Sequence, residues 1–301
     1  MNGKATPRRI AGKVLLYLAA ILLVIFIIGP LLWVLSASFQ LETALFQRPP
    51  EWIPQNPTAA NYRYVFTGEI PQAYEERGLL RSPITQEALF LPQSIGNSFL
   101  VAVGVTLTNL VLGTLAAYTF ARERFKGQSA SYLFILGSRL LPAVVVAVPV
   151  YQVVQFLDIL DTKRGLFLLH GAFTLPFTIW VLTLYFQKMP RELEEAAMID
   201  GCTRFGALLR VVVPIAAPGL AAVGAFSFLF SYSEFVFALF TTQTMNAKTV
   251  PVLTAAIASN PDASYTLIAV GVILSIVPPL VLAFIFQRFI TSGLVASFGK
   301  G

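Results

Sequence analysis

The chain has 301 residues, 56% of them hydrophobic and only 12% charged, with a net charge of +6. Soluble domains carry about 25% charged residues, so a water-soluble enzyme of this composition could not cover its surface, and a disordered chain needs low hydrophobicity with high charge. One cysteine, Cys202, and one histidine, His170, exclude an internal disulfide framework, a Cys-rich metal site and a His-based zinc site.

Residues 1–13 form a basic N-terminal stretch with Lys4, Arg8, Arg9 and Lys13, and an uncharged segment follows at 14–41. A basic start before apolar residues also describes a signal peptide. Signal cores run about 7–15 residues, whereas this one stays apolar from Val14 to Leu35, so it is read as a first transmembrane helix. Further uncharged stretches lie at 88–121, 127–157 (interrupted only by Arg139), 165–187, 211–233 and 263–287. A spanning helix needs about 20 apolar residues. The predicted fold is an all-α integral membrane protein of six transmembrane helices, with helices 2 to 6 in a core at 88–290 and a short C-terminal tail at 291–301.

With the N-terminus inside, thirteen of the 21 basic residues fall on the inner side and seven outside, four of those in the loop at 42–87. Long loops count weakly in the positive-inside rule, so both termini are predicted to be cytoplasmic. This placement also removes the nucleic-acid reading of the net charge, which requires a clustered basic face. The loop at 42–87 contains Pro49, Pro50, Pro54, Pro57, Pro71 and Pro83 among Trp52, Tyr62, Tyr64 and Phe66. Aromatics between turn-forming prolines predict an ordered external subregion; the alternative is a disordered loop.

The charged segment at 188–213, between the fourth and fifth predicted helices, is patterned. Pro190 suits a first helical turn, and Glu192, Glu194 and Glu195 sit where the helix dipole favours negative charge. Gly201 suits a left-handed C-terminal cap, Thr203 suits an N-cap, and Pro214 is placed to open the fifth helix. Leu193, Ala196, Ala197 and Ile199 give this acidic helix a small and apolar face, which fits helix-in-groove docking. A helix resting on lipid is the alternative, but such helices carry Lys and Arg, not an acidic first turn.

These residues also carry a resemblance. Glu195-Ala196-Ala197, three residues, Gly201, nine residues, then Val211-Val212-Val213-Pro214 closely resembles the EAA loop of bacterial ATP-binding-cassette importers. The family commonly has Ile-x-Leu-Pro at that last position, so two conservative departures occur. Pro57-Thr-Ala-Ala-Asn61-Tyr62, Arg139-Leu-Leu-Pro142, Asp161-Thr162 with Gly165-Leu166, and Gly299-Lys300-Gly301 are similar to the carbohydrate-uptake branch, in particular to its smaller maltose permease subunit. The resemblance covers nearly the whole chain. It implies a coupling helix seated in an ATPase cleft, with Glu195, Ala196, Ala197 and Gly201 transmitting nucleotide-driven closure, Gly201 permitting the sharp turn, Pro214 fixing where the loop enters the fifth helix, and Asp200 capping or pairing locally beside the glycine.

It further implies a second permease subunit, two copies of an ATP-binding-cassette ATPase and an external sugar-binding protein, in a bacterial inner membrane. ATP and magnesium would reside on the ATPases, since no Gly-x-x-x-x-Gly-Lys-Ser/Thr phosphate loop occurs in this chain.

Arg139, Tyr232 and Glu234 are the candidate translocation-path residues. On a straight third helix Arg139 lies about 16 Å in, near the bilayer middle. Ionisable groups there face a cavity or pair with neighbours, so a structural arginine and a path residue are both consistent readings. On a straight fifth helix Glu234 lies about 34 Å from Val211, near the outer end, and is either an interfacial structural acid or a substrate contact. Ser231 and Ser233 depart from the Trp-Asn-Glu-Phe-like pattern of related permeases. His170 and Cys202 are read as a lone histidine near a helix end and a small residue beside a turn. The rival functions are an ion-coupled secondary transporter, which usually shows internal repeats and several buried carboxylates, and a membrane scaffold, which needs no spaced docking helix.

Overall fold

A computed structural model describes residues 7–70, 86–259 and 263–298. Pro71 and Pro83 of the loop and the terminal Gly299-Lys300-Gly301 lie outside the described residues. Among those described, all regular structure is helical. Four helices are long and apolar enough to cross a membrane, namely Gly12–Ser38, Ala88–Arg122, Lys163–Lys188 and Tyr265–Phe289. Two further pairs qualify only as bent spans, Gln128–Leu140 with Ala143–Phe156 at 101° and Arg204–Ile215 with Ala217–Tyr232 at 79°.

The bends correct the two straight helices predicted at 127–157 and 211–233. At the first, Pro142 disfavours helical backbone in the residue before it, and Leu141 is extended at ψ 121°. A short 3₁₀ turn at Ser138–Leu140 therefore ends one helix before Ala143–Phe156 begins. Arg139 sits in that turn and not midway along a continuous rod. At the second, a π-helical turn at Leu208–Val212 runs into Val213–Ile215, and the chain breaks at Ala216 before Ala217–Tyr232. Pro214 belongs to the short turn, while Pro218 occupies the opening of the longer helix.

The chain divides into two compact units, residues 1–89 with 257–274, and residues 90–256 with 275–301. In the first, the helix Pro7–Ser38 is capped by the segment that follows it. Asn61 donates from Nδ2 to the carbonyls of Ser38 (3.0 Å) and Gln40 (2.8 Å), satisfying helix-end acceptors that would otherwise be orphaned. The Ser38 hydroxyl meets the Tyr62 hydroxyl at 2.8 Å, and Trp52 packs edge-on against Trp33 at 4.9 Å. Glu42 caps the helix starting at Tyr265, accepting from its backbone N–H at 3.0 Å and from the Ser264 hydroxyl.

The second unit is built on the helix Leu91–Arg122, here α1, which packs along Lys163–Gln187, here α2, and Ala217–Tyr232, here α3. Hydrocarbon surroundings remove the hydrophobic drive between helices, so close backbone approach carries the association. Gly113 on α1 shows how close: a β-carbon there would lie 2.5 Å from Cγ2 of the buried Thr178 on α2. Gly113→Ala is expected to cost about 1–3 kcal/mol by overpacking, read as a lower unfolding temperature, and Thr178→Ser, which removes that methyl, should restore most of it. At one end of the unit Ala117, Ala121, Leu182, Phe186, Leu208, Val212, Ala216 and Val223 form a buried cluster.

At the opposite end Asp161 clasps the segment after 240. Its Oδ1 accepts the N–H groups of Gln243 (2.8 Å) and Thr244 (3.0 Å), and its Oδ2 accepts the Thr244 hydroxyl at 2.5 Å. Burial pushes this carboxyl up, but those three bonds and the charge of Lys248 outweigh it and hold the pKa below the ordinary value. A depressed folded-state pKa adds stability that is full at neutral pH and is lost as pH falls through the lowered value. Asp161→Asn is therefore expected to lower the unfolding temperature at pH 7 and to narrow its gap to wild type on acidification, as followed by thermal scans across pH.

Candidate functional site

The segment from Lys188 to Pro214 forms a short helix at Glu192–Ile199, a turn, and a second one at Arg204–Ala207. Pro190 lies two residues before the first helix, outside it, and Arg191 is the residue flanking its start. The turn is fully formed by the chain itself. Gly201 has φ +90°, its N–H bonds the Met198 carbonyl (3.1 Å), and the Cys202 N–H bonds that of Ala197 (3.0 Å). These are the two bonds of a Schellman cap, with Asp200 as the last half-helical residue. Thr203 then caps the next helix, accepting from the Gly206 N–H at 3.1 Å.

The faces of the first helix are unequal. Glu195 and Ala196 are exposed and Ala197 half-buried, while Leu193 is 42% and Ile199 86% exposed. This apolar and acidic surface faces away from the rest of the unit. Glu194 turns the other way and is 6% exposed. Its Oε1 accepts Nε of Arg122 at 2.7 Å and its Oε2 accepts the Tyr118 hydroxyl at 2.8 Å. Arg122 also donates to the Met189 carbonyl at 3.1 Å. Next to it, Glu123 pairs with Arg204 on the exposed surface. Arg122 does not stand out in sequence, and Glu194 does so only as one of three first-turn acids, because the pairing depends on which side of the helix faces inward.

Of the candidate path residues, Tyr232 and Glu234 adjoin a buried polar ladder that sequence reading missed. Asn109 on α1 donates to the hydroxyls of Thr174 (2.6 Å) and Ser227 (3.2 Å). His170 meets the Ser231 hydroxyl through Nδ1 at 3.0 Å. Its Nε2 lies 3.1 Å from Oε2 of Glu234. His170 is 1% exposed, so the reading of it as an isolated residue is corrected: one ring links α2, α3 and Glu234. Glu234 also accepts the N–H groups of Phe237 (2.8 Å) and Ala238 (3.0 Å), two donors at the start of the helix Val236–Thr241.

Tyr232 stacks on Phe228 at 5.6 Å, and its buried hydroxyl has no hydrogen-bond partner among the described residues. Arg139 is held elsewhere. It donates to the Phe173 carbonyl at 2.8 Å and lies over the rings of Phe173 (4.5 Å) and Phe230 (5.7 Å). Pro176, inside α2, lacks an N–H, which leaves the carbonyl of Ala172 without its helical donor. The signal for the ladder was legible in principle: His170 and Thr174, and Ser227 and Ser231, recur at four-residue spacing on otherwise apolar helices. Among the described residues no group of three or more His, Cys, Asp or Glu side chains is placed to hold a metal ion.

Residues 109–295 match the family described as binding-protein-dependent transport system inner membrane component. The sulfoquinovosyl glycerol transport system permease protein SmoH of Agrobacterium fabrum is 34% identical over 291 residues, covering 97% of this chain and 95% of the relative. The trehalose/maltose transport system permease protein MalG of Thermococcus litoralis is 30% identical over 290 residues, covering 96% and 97%. A chain of a bacterial ABC transporter involved in the import of the acidic polysaccharide alginate superposes with a TM-score of 0.74 at 19% identity, covering 96% of this chain and 99% of that one. The helix closed by Gly201 and the apolar spans thus occur in a chain that belongs to the binding-protein-dependent transport system inner membrane components.

Proposed function

We propose that the chain is one membrane-spanning subunit of an ATP-driven importer that carries a sugar or oligosaccharide inward by alternating access. The single observation that carries this reading is the helix Glu192–Ile199, which is anchored by Glu194 on one side and exposes Leu193, Glu195, Ala196 and Ile199 on the other. An exposed apolar helix face with acidic flanks fits a groove with a basic rim. Glu195, Ala196 and Ala197 make the contact, Asp200 and Gly201 shape the turn, and Pro214 sets the path into the fifth span. On this reading each bent pair is one span, giving six, and the basic residues at 1–13, 122–126 and 188–210 support a cytoplasmic position for that side and for both termini.

The partners on this reading are a second permease subunit, two ATPase copies that hold ATP and magnesium, and an external sugar-binding protein. Sugar as the solute rests on the relatives, whose names specify sulfoquinovosyl glycerol, trehalose and maltose. Arg139, Tyr232 and Glu234 serve the translocation path, Tyr232 and Glu234 beside the polar ladder and Arg139 through its aromatic seat. Affinity purification of the chain with the products of its neighbouring genes tests the reading. An ATPase should co-purify, and Ala196→Arg, which puts a bulky cation on the docking face, should release it while the chain stays in the membrane. A chain that retains no ATPase sinks the proposal.

A further inference from the structure

Three features set α1 apart. Among the described residues it is the only long apolar helix without a proline in its interior. Pro92 occupies its first turn, whereas Pro30, Pro176 and the Pro278-Pro279 pair interrupt the other long helices and the remaining spans are bent pairs. Proline inside a helix removes a backbone bond and permits a kink, so α1, with 32 residues and about 48 Å long, is the stiffest element of the unit. Its C-terminal turns hold both ends of the docking segment. Tyr118 and Arg122, one turn apart, grip Glu194 and the Met189 carbonyl, and Glu123 holds Arg204. Its middle carries Asn109, the donor that joins the buried ladder of Thr174 and Ser227.

The chemistry of the grip points the same way. A buried ion pair is a poor stabiliser compared with apolar groups of the same volume, and its best-attested use is to fix register. Here the pair is nearly dry, with side-chain exposures of 6% for Arg122 and 8% for Glu194. Of the three glutamates in the first turn of the docking helix, only Glu194 is buried. Its bonds to α1 are fixed in direction at both carboxylate oxygens. A displacement of Glu192–Ile199 therefore moves the end of α1 unless these bonds break.

We infer that Arg122 and Tyr118, acting through Glu194, are positioning residues that make α1 the rod by which motion of the docking helix reaches the buried polar ladder. The inference deepens the proposed function and rests on it. The test is hydrogen exchange on the complete importer complex in phosphatidylethanolamine–phosphatidylglycerol nanodiscs, with and without Mg-ATP and vanadate. In the wild type, trapping should change exchange both at 192–199 and at the far end of α1, around 91–97. Glu194→Gln and the milder Tyr118→Phe should keep the change at 192–199 and lose the one at 91–97.

Persistence of both changes in both variants overturns the rod. So does a general rise in exchange before nucleotide is added, with both responses fading together, because that is a purely structural effect. A wild-type complex in which 192–199 ignores nucleotide overturns the docking reading itself, and the rod with it.

Discussion

Replacing Gly201 by valine is expected to abolish ATP-driven uptake while leaving the chain inserted in the membrane. At φ +90° a β-branched residue is a genuine outlier, and holding one there costs about 1–3 kcal/mol. A β-carbon at this position would meet no atom within 4 Å, so the cost comes from the backbone turn and not from packing. The sign of the effect is therefore graded by residue type. Asparagine tolerates the left-handed region best among non-glycine residues and should retain the most uptake, alanine less and valine least. The measurement is solute uptake by cells at matched membrane levels of each variant. Equal loss for asparagine and valine would show that the backbone conformation is not what the position requires.

Removing one partner of the buried pair should be the most damaging substitution for stability. Arg122→Leu leaves the Glu194 carboxylate without its cation in a site where both side chains are almost fully covered. Breaking such a pair from one side costs about 3–5 kcal/mol, because the remaining charge has lost its hydration without compensation. Glu194→Leu should cost a similar amount by stranding the guanidinium. The double variant Arg122→Leu with Glu194→Leu has no stranded charge, so it should lose much less than the sum of the singles. Thermal unfolding of the four proteins in one detergent gives the double-mutant cycle. Additive losses would mean that the two side chains act independently.

Much of the segment at 188–213 is legible in the sequence. Glycine after an amphipathic run, threonine two residues later and an acidic first turn are local signals, and each is governed by backbone preferences within one turn of chain. The helix breaks were legible in part: Pro142 marks a boundary through its effect on Leu141, but a hydropathy run passes over it because Leu140, Leu141 and Ala143 are apolar. Pro214 is placed by the sequence to open the fifth helix, but the longer helix opens at Pro218, with the completely buried Ala216 at the break between them.

The low charge and long apolar runs by themselves determined that this protein lives in a membrane, since a composition with 12% charged residues cannot cover itself in water. The tertiary structure decided which of its few charges meet. Glu194 and Arg122 are 72 residues apart, and His170 and Ser231 are 61 apart; nothing in either local sequence names the other. Their pairing follows from which face each helix turns inward, and that is set by the summed packing of α1, α2 and α3 instead of by any single turn. The scarcity of charge brings the chain into the membrane; helix packing determines which few charges and polar groups are buried together there.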